Sequence, residues 1–378
     1  MIITHREFVS MNLRQKQVPQ ILFLLLAMAS HQAAAGGATQ VDGEFVNDVG
    51  PWKPNLTGAF KAMWTTEQYD NTPSSPILTQ NLDIATLDSI TVPSLHRLGH
   101  STVLLKLGED YALTDPVFSE RASPFQWFGP KRFHPPPIDI ETLPNLKAVG
   151  ISHDHYDHLD KDSVRKLTEK VGHFVVPLGV GKHLKRWGVA ETSIIELDWW
   201  QEVDLDGITL VATPAQHLSG RGLFDRNETL WASWVIMGAG ARIYFSGDTG
   251  YFDGFRQIGE RYGPFDITLI ENGAYNCAWR DIHLMPEDSI QAHIDLGGKL
   301  MLPIHNSTFD LSLHPWHEPM ERVKELAMEH GIRVATPIIG ATLPILEPHP
   351  TYAWWRSCCG RKDMIDTQIL TTGSAVQQ

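Results

Sequence analysis

The sequence predicts an α/β fold, and three observations carry that expectation. After Val92, short apolar runs of strand length alternate with amphipathic stretches of helical period. Several of those runs end in histidine or aspartate. The chain is also large and apolar enough to bury a full core, with 378 residues, 42% of them hydrophobic and 20% charged. Lys+Arg 31 against Asp+Glu 44 gives a net charge of −13, and no basic run offers the footprint that nucleic-acid phosphates require, so a nucleic-acid partner is disfavoured. Three cysteines, Cys277, Cys358 and Cys359, are too few for a disulfide framework or an all-thiolate zinc site. Histidine is the unusual count, at 18, and it serves both metal ligation and acid–base chemistry.

Residues 1–35 read as a secretory signal peptide. The apolar run Ile21–Ala29 is far shorter than the roughly 20 residues of a spanning helix, follows Arg14 and Lys16, and precedes Ala33, Ala34, Ala35 and Gly36. Cleavage is expected after Ala35, which removes Arg6, Arg14, Lys16 and Glu7 and deepens the net charge to −15. No lipobox cysteine follows, so an exported chain, periplasmic or outer-membrane associated, is expected without a lipid anchor. Residues 36–91 read as an arm packed on the body, with one helix-like stretch from Leu56 to Tyr69 whose Phe60, Met63 and Trp64 form a stripe. That stripe is read as packing on the core, with a lining for a lipid or substrate groove as the alternative.

Residues 92–349 form the main domain. Its strand candidates are Thr102–Lys106, Tyr111–Thr114, Ala148–Ser152, Phe174–Pro177, Ile208–Thr213, Trp234–Met237, Ile243–Ser246, Ile267–Ile270 and Leu300–Pro303. Helices are expected after Asp162, as a capping residue, and from Glu318 to Glu329. Residues 350–378 show no clean period and read as a loosely packed tail.

The chemistry sits just past the strand ends. One candidate ends at Asp115, the next runs into His153-Asp154-His155-Tyr156-Asp157-His158, and later ones lead to His217, Asp248 and His305. Strands running the same way in one sheet gather such residues along one edge. His153 and His155 are two apart, so in extended chain both rings face one side and can grip one ion, while Asp157 and His158 turn toward a second. Neutral imidazole suits zinc, and a carboxylate can bridge two ions. Asp248, flanked by Gly247 and Gly250, is the candidate bridge. A lone histidine at a strand end is more often hydrogen-bonded structure; the joint recurrence points to metal.

The H-x-H-x-D-H pattern at His153, His155, Asp157 and His158 resembles the metallo-β-lactamase superfamily. Segments such as Gly99–Val103, Leu113–Phe118, Gly129–Phe133, Glu196–Trp200, Gly247–Tyr251 and Gly273–Tyr275 resemble one branch of it, the phospholipases D that hydrolyse N-acyl-phosphatidylethanolamine. Bacterial relatives of that branch are called outer membrane protein RomA. The resemblance spans about Val92 to Leu346. It implies a four-layer αβ/βα sandwich holding two zinc ions, one by His153, His155 and His217, the other by Asp157, His158 and His305, with Asp248 as bridge. It implies that Asp115 orients ligands without binding metal, and that His283 lies near the active site, with proton donation to a leaving group as one role and substrate positioning or a structural role as the alternative. Where the branch has an apolar or small pair before Gly273, this chain has Glu271 and Asn272.

The expected function is therefore a zinc-dependent hydrolase, a phosphodiesterase of the phospholipase D type in which the two ions share and activate a water. Its substrate is a small molecule or lipid, of the N-acyl-phosphatidylethanolamine kind. Another metallo-hydrolase such as a lactonase, or a non-catalytic envelope protein, is the alternative. No Gly-x-Ser-x-Gly elbow occurs, so a serine nucleophile has no support. His314 and His317 read as surface histidines, and the 12 tryptophans mostly as core, with peripheral membrane contact for some as the alternative.

Overall fold

A computed structural model describes residues 36–50 and 69–359. The expected signal peptide, the helix-like stretch from Leu56 to Tyr69 apart from Tyr69 itself, and residues 360–378 lie outside the described residues.

Burial of the main strands on both faces decides the architecture. The described residues start with a hairpin of β1 (Thr39–Val41) and β2 (Glu44–Val46), and helix α1 (Ile84–Ser89) precedes the body. Strands β3 (Ser94–Gly99), β4 (Thr102–Leu107), β5 (Asp110–Thr114), β6 (Leu146–Gly150), β7 (Val171–Pro177) and β8 (Ile194–Leu197) follow, with α2 (Lys161–Leu167) before β7 and α3 (Gly181–Arg186) before β8. Then come β9 (Glu202–Asp204), β10 (Ile208–Thr213), β11 (Ser233–Gly238), β12 (Ala241–Phe245), α4 (Gly254–Tyr262), β13 (Ile267–Glu271), α5 (Pro286–Asp295), β14 (Met301–Ile304), α6 (Glu318–His330), β15 (Thr342–Pro344) and α7 (Trp355–Cys358).

Two sheets result. One has seven strands in the order β15-β3-β4-β5-β6-β7-β8, and the other six in the order β14-β13-β12-β11-β10-β9. In each, antiparallel hairpins (β3-β4-β5 and β10-β11-β12) pass into parallel strands (β5-β6-β7-β8 and β12-β13-β14). Val103, Leu105, Ala148 and Val175 of the first sheet share a core with Leu210, Trp234, Ile243, Leu269 and Leu302 of the second. Their neighbours in sequence point the other way: Leu104, Val149 and Phe174 pack under α2 and α3, and Val235, Tyr244 and Ile270 under α4, α5 and α6. The layers are thus helix, sheet, sheet, helix, the expected αβ/βα sandwich.

All nine strand candidates are present, most with bounds displaced by a residue or two. The helix expected after Asp162 begins at Lys161, and its cap is Asp160, whose carboxylate accepts from the Asp162 N–H at 3.2 Å. The loose tail is corrected for residues 350–359: Trp354, Trp355 and Cys358 are buried against Ile77, Trp316 and Met320, and Arg356 pairs with Glu321. Three clustered apolar side chains drive that packing despite the absence of a period.

Candidate metal centre

The two parallel halves place the carboxyl ends of β5, β6, β12, β13 and β14 along one edge, and the following residues converge there. His153, just past β6, lies with its Nε2 2.9 Å from His155 Nδ1, and His217 Nε2 is 3.3 Å from that same Nδ1. On the other side, Asp157 Oδ2 lies 3.0 Å from His100 Nε2, 3.1 Å from His305 Nε2 and 3.4 Å from His158 Nε2. Asp248 sits between the two groups, 3.1 Å from His158 and from His305, and 3.9 Å from His153 and from His217. Two sets of four donors emerge, His153–His155–His217–Asp248 and His100–Asp157–His158–His305, each with ligand atoms within 4.8 Å of one another.

The donor atoms fit a bound cation better than they fit each other. His153 and His155 point ring nitrogens at one another, and His158 Nε2 and Asp248 Oδ1 make no hydrogen bond among the described residues although both are buried. Burial alone would raise the carboxyls of Asp157 and Asp248, yet neighbouring histidines hold both well below the usual range. Burial likewise keeps His153 and His217 neutral, the form in which imidazole ligates metal.

Local structure explains how the ligands are held. Asp115 lies at the end of β5 with φ 34°, accepts from the Ser152 N–H at 2.7 Å and sits 2.6 Å from His158 Nδ1, so it orients that ring and leaves Nε2 for the centre. His100 (φ 51°) and His305 (φ 61°) also adopt left-handed backbone, strain of the kind that collects at functional sites. Gly247 carries φ 57°, and a Cβ there would meet Ser152 Cβ at 2.6 Å, so only glycine lets the Asp248 turn approach the His153 loop. The sheets are tied at this point, since the Trp234 indole donates to the Ile151 carbonyl and the Ala232 N–H to the Ser152 carbonyl.

All seven sequence-stated ligand candidates and Asp115 lie in this cluster, and His283 lies at its rim. The His283 ring is 5.1 Å from that of His217, and its Nδ1 is 2.9 Å from Glu271 Oε2. Of four positions that support the cluster, His100 as a donor and Asn47 escaped the sequence reading, whereas Glu271 and Asn272 stood out only as a departure before Gly273. His100 follows β3, a strand not foreseen, and its Gly-His-Ser setting was the available signal. Asn47 grips the His217 backbone, accepting from its N–H at 3.0 Å and donating to its carbonyl at 2.9 Å, which no local pattern announces. Glu271 is a buried strut: Oε1 accepts from the N–H groups of Thr249 and Leu284, and Oε2 faces His283. Asn272 accepts from Asn306 Nδ2, beside His305, and donates to the Pro319 carbonyl. His314, expected at the surface, is half-buried and stacks on Tyr275, with ring centroids 4.2 Å apart, and belongs to neither donor set.

Residues 111–306 match the family described as Beta-lactamase superfamily domain. An uncharacterised protein of Mycobacterium tuberculosis is 50% identical over 68% of this chain and 70% of its own length. The N-acyl-phosphatidylethanolamine-hydrolyzing phospholipase D 1 of Caenorhabditis elegans is 36% identical over 72% of this chain and 82% of its own. Among solved structures, a possible metal-dependent hydrolase from Veillonella parvula superposes with a TM-score of 0.54 at 18% identity, covering 68% of this chain and 100% of that one.

Proposed function

Since the chain belongs to the metallo-β-lactamase superfamily, and is a metallo-hydrolase by fold and kinship, we propose that it is a phosphodiesterase of the phospholipase D type acting on N-acyl-phosphatidylethanolamine-like lipids. The observation that carries the proposal is the paired donor sets meeting at Asp248. With six histidines among their seven non-bridging donors the metal of choice is zinc, and two such ions when bound supply an activated water and neutralise charge at a phosphoryl centre.

The protein's own residues do the rest. His153, His155 and His217 would hold one ion and Asp157, His158 and His305 the other, with Asp248 lying between the two donor sets and His100 beside Asp157. Asp115 fixes His158. His283, held at Nδ1 by Glu271, keeps its second nitrogen for the substrate and delivers a proton to the leaving alkoxide. The phospholipase D activity named for the Caenorhabditis elegans relative supports the phosphodiester, and the leader of residues 1–35 supports export to the periplasm or outer membrane. Among the described residues no helix is long and apolar enough to cross a membrane.

The test is turnover in oxygen-18 water on N-acyl-phosphatidylethanolamine, simple phosphodiesters and lactones. Label should enter a phosphate product, be lost on chelation and return with zinc. Asp248→Ala should reduce binding of both ions and His217→Ala mainly one. A zinc-loaded protein that opens lactones and leaves phosphodiesters intact overturns the proposal in favour of a lactonase.

A further inference from the structure

The second donor set offers more than one ion can take. With Asp248 shared, His100, Asp157, His158 and His305 would bring the protein donors around that ion to five, against four around its neighbour. Zinc takes four donors, expanding at most to five in reaction, and a catalytic ion keeps one position for water. One of the five is therefore surplus, and two observations single out His100. The first is direction. Nε2 of His158 and Nε2 of His305 each lie 3.1 Å from Asp248, whereas the one carboxylate in ion-pair contact with His100 among the described residues is Asp157, its Oδ2 3.0 Å from Nε2.

The second is the far nitrogen. An imidazole that ligates through one nitrogen carries its proton on the other, and that N–H finds an acceptor. His158 Nδ1 has Asp115 Oδ2 at 2.6 Å, and His305 Nδ1, without a direct hydrogen bond, still faces Glu271 Oε2 at 4.0 Å. His100 Nδ1 is buried and makes no hydrogen bond. Were His100 Nε2 bound to metal, its Nδ1 would be a stranded buried donor. With the proton on Nε2 instead, that atom donates to Asp157 and no N–H is left over. The fold itself fixes the ring: the His100 N–H donates to Thr308 Oγ1 at 2.6 Å, its carbonyl accepts from the His305 N–H at 3.2 Å, and the ring packs against those of His305 and Phe309, at 4.0 and 5.2 Å between centroids.

We infer that His100 is the positioning residue of Asp157 and not a ligand: its Nε2–H engages one lone pair of Oδ2 and leaves the other for the ion. A carboxylate otherwise free to swing is held in one orientation, and the surplus position around the second ion goes to water. This role for His100 rests on the two-ion reading above and is independent of which ester the centre cleaves.

The experiment uses the zinc-loaded full chain. Long-range proton–nitrogen correlation spectra report which imidazole nitrogen carries the proton, and His100 should show it on Nε2 with Nδ1 bare, the reverse of His158. Competition with a chromophoric chelator then reads the release of each ion. His100→Leu, similar in size but without a donor, should weaken the ion that His217→Ala leaves in place by about tenfold to a hundredfold. His100→Gln, which puts an amide N–H in the place of Nε2–H, should hold that ion nearly as the parent does. If the Leu variant fails to fold, the tautomer and the Gln variant still decide. A proton on His100 Nδ1, or a loss in His100→Gln as large as in His100→Leu, would make His100 a ligand and overturn the inference. A Leu variant that holds both ions like the parent would overturn it in favour of packing alone. Parent protein that binds fewer than two ions fails the two-ion reading itself and this role with it, a result that stoichiometry reports before any variant is compared.

Discussion

Glu271 shows how one side chain can set the state of another. Its Oε1 receives the N–H groups of Thr249 and Leu284, and its Oε2 faces His283 Nδ1. A carboxylate can only accept, so Nδ1 must carry a proton and Nε2 is presented to the substrate. In Glu271→Gln the two backbone donors keep the amide oxygen on their side, and the NH₂ group turns toward Nδ1. An NH₂ group facing Nδ1 disfavours the imidazolium of His283, the form in which Nδ1 donates to the carboxylate while Nε2 carries the proton to be delivered. Turnover should fall by about tenfold to a hundredfold, the scale of a misplaced general acid, with metal content unchanged. The pH profile of kcat should shift with it, which a purely structural role would not produce. Elemental analysis beside kcat against pH checks this, and a Gln variant with the parent's profile would show that Glu271 only braces the backbone. Glu271→Ala is the less informative change, because it strands two buried N–H groups.

At the scale of elements, the short arm before the body reaches into the site. Phe45 of β2 enters the inter-sheet core, and Asn47 next to it clasps His217 through both backbone groups while accepting from the Trp231 indole at 3.0 Å. Asn47→Ala should therefore weaken the ion held by His217 by about tenfold, in line with other loss of outer support for a ligand, and lower stability by about 1–3 kcal/mol. Competition with a chromophoric chelator reads the first and urea denaturation the second; unchanged chelator resistance would remove the arm from the site. The same element marks the limit of sequence reading. β4, β10 and β13 are legible because most of their residues are apolar and the rest are short or lie at the strand ends. β3 is not, since His96 and Arg97 interrupt it and both are buried, so His100 at its end lost the strand that would have flagged it. The ligand motif is legible because its spacing is local. Asn47, Glu271 and the pairing of His100 with Asp157 span 170, 12 and 57 residues to their partners, and only the folded sheets bring them together.

At the scale of the whole molecule, the ligands come from both sheets, so a bound centre also clasps the sandwich at one edge: His153 to His158 follow β6 of the first sheet, whereas His217, Asp248 and His305 follow β10, β12 and β14 of the second. Acid should open the molecule in two ways. Protonation of the ligands releases metal. Independently, His293 of α5 is buried with Nδ1 2.7 Å from Thr268 Oγ1, and burial pushes it from 6.5 down to about 4. Its proton therefore binds the unfolded chain more readily than the folded one, and the stability this provides is complete above 6.5 and lost as pH falls toward 4, on the order of 3 kcal/mol in all. In chelated protein, where metal release no longer contributes, the urea midpoint should still fall between pH 6.5 and pH 4. His293→Gln should flatten that decline while leaving the site residues in place. A decline equally steep in the variant would assign the acid sensitivity to other buried histidines, of which His96 in β3, also pushed to about 4 by burial, is the next to replace.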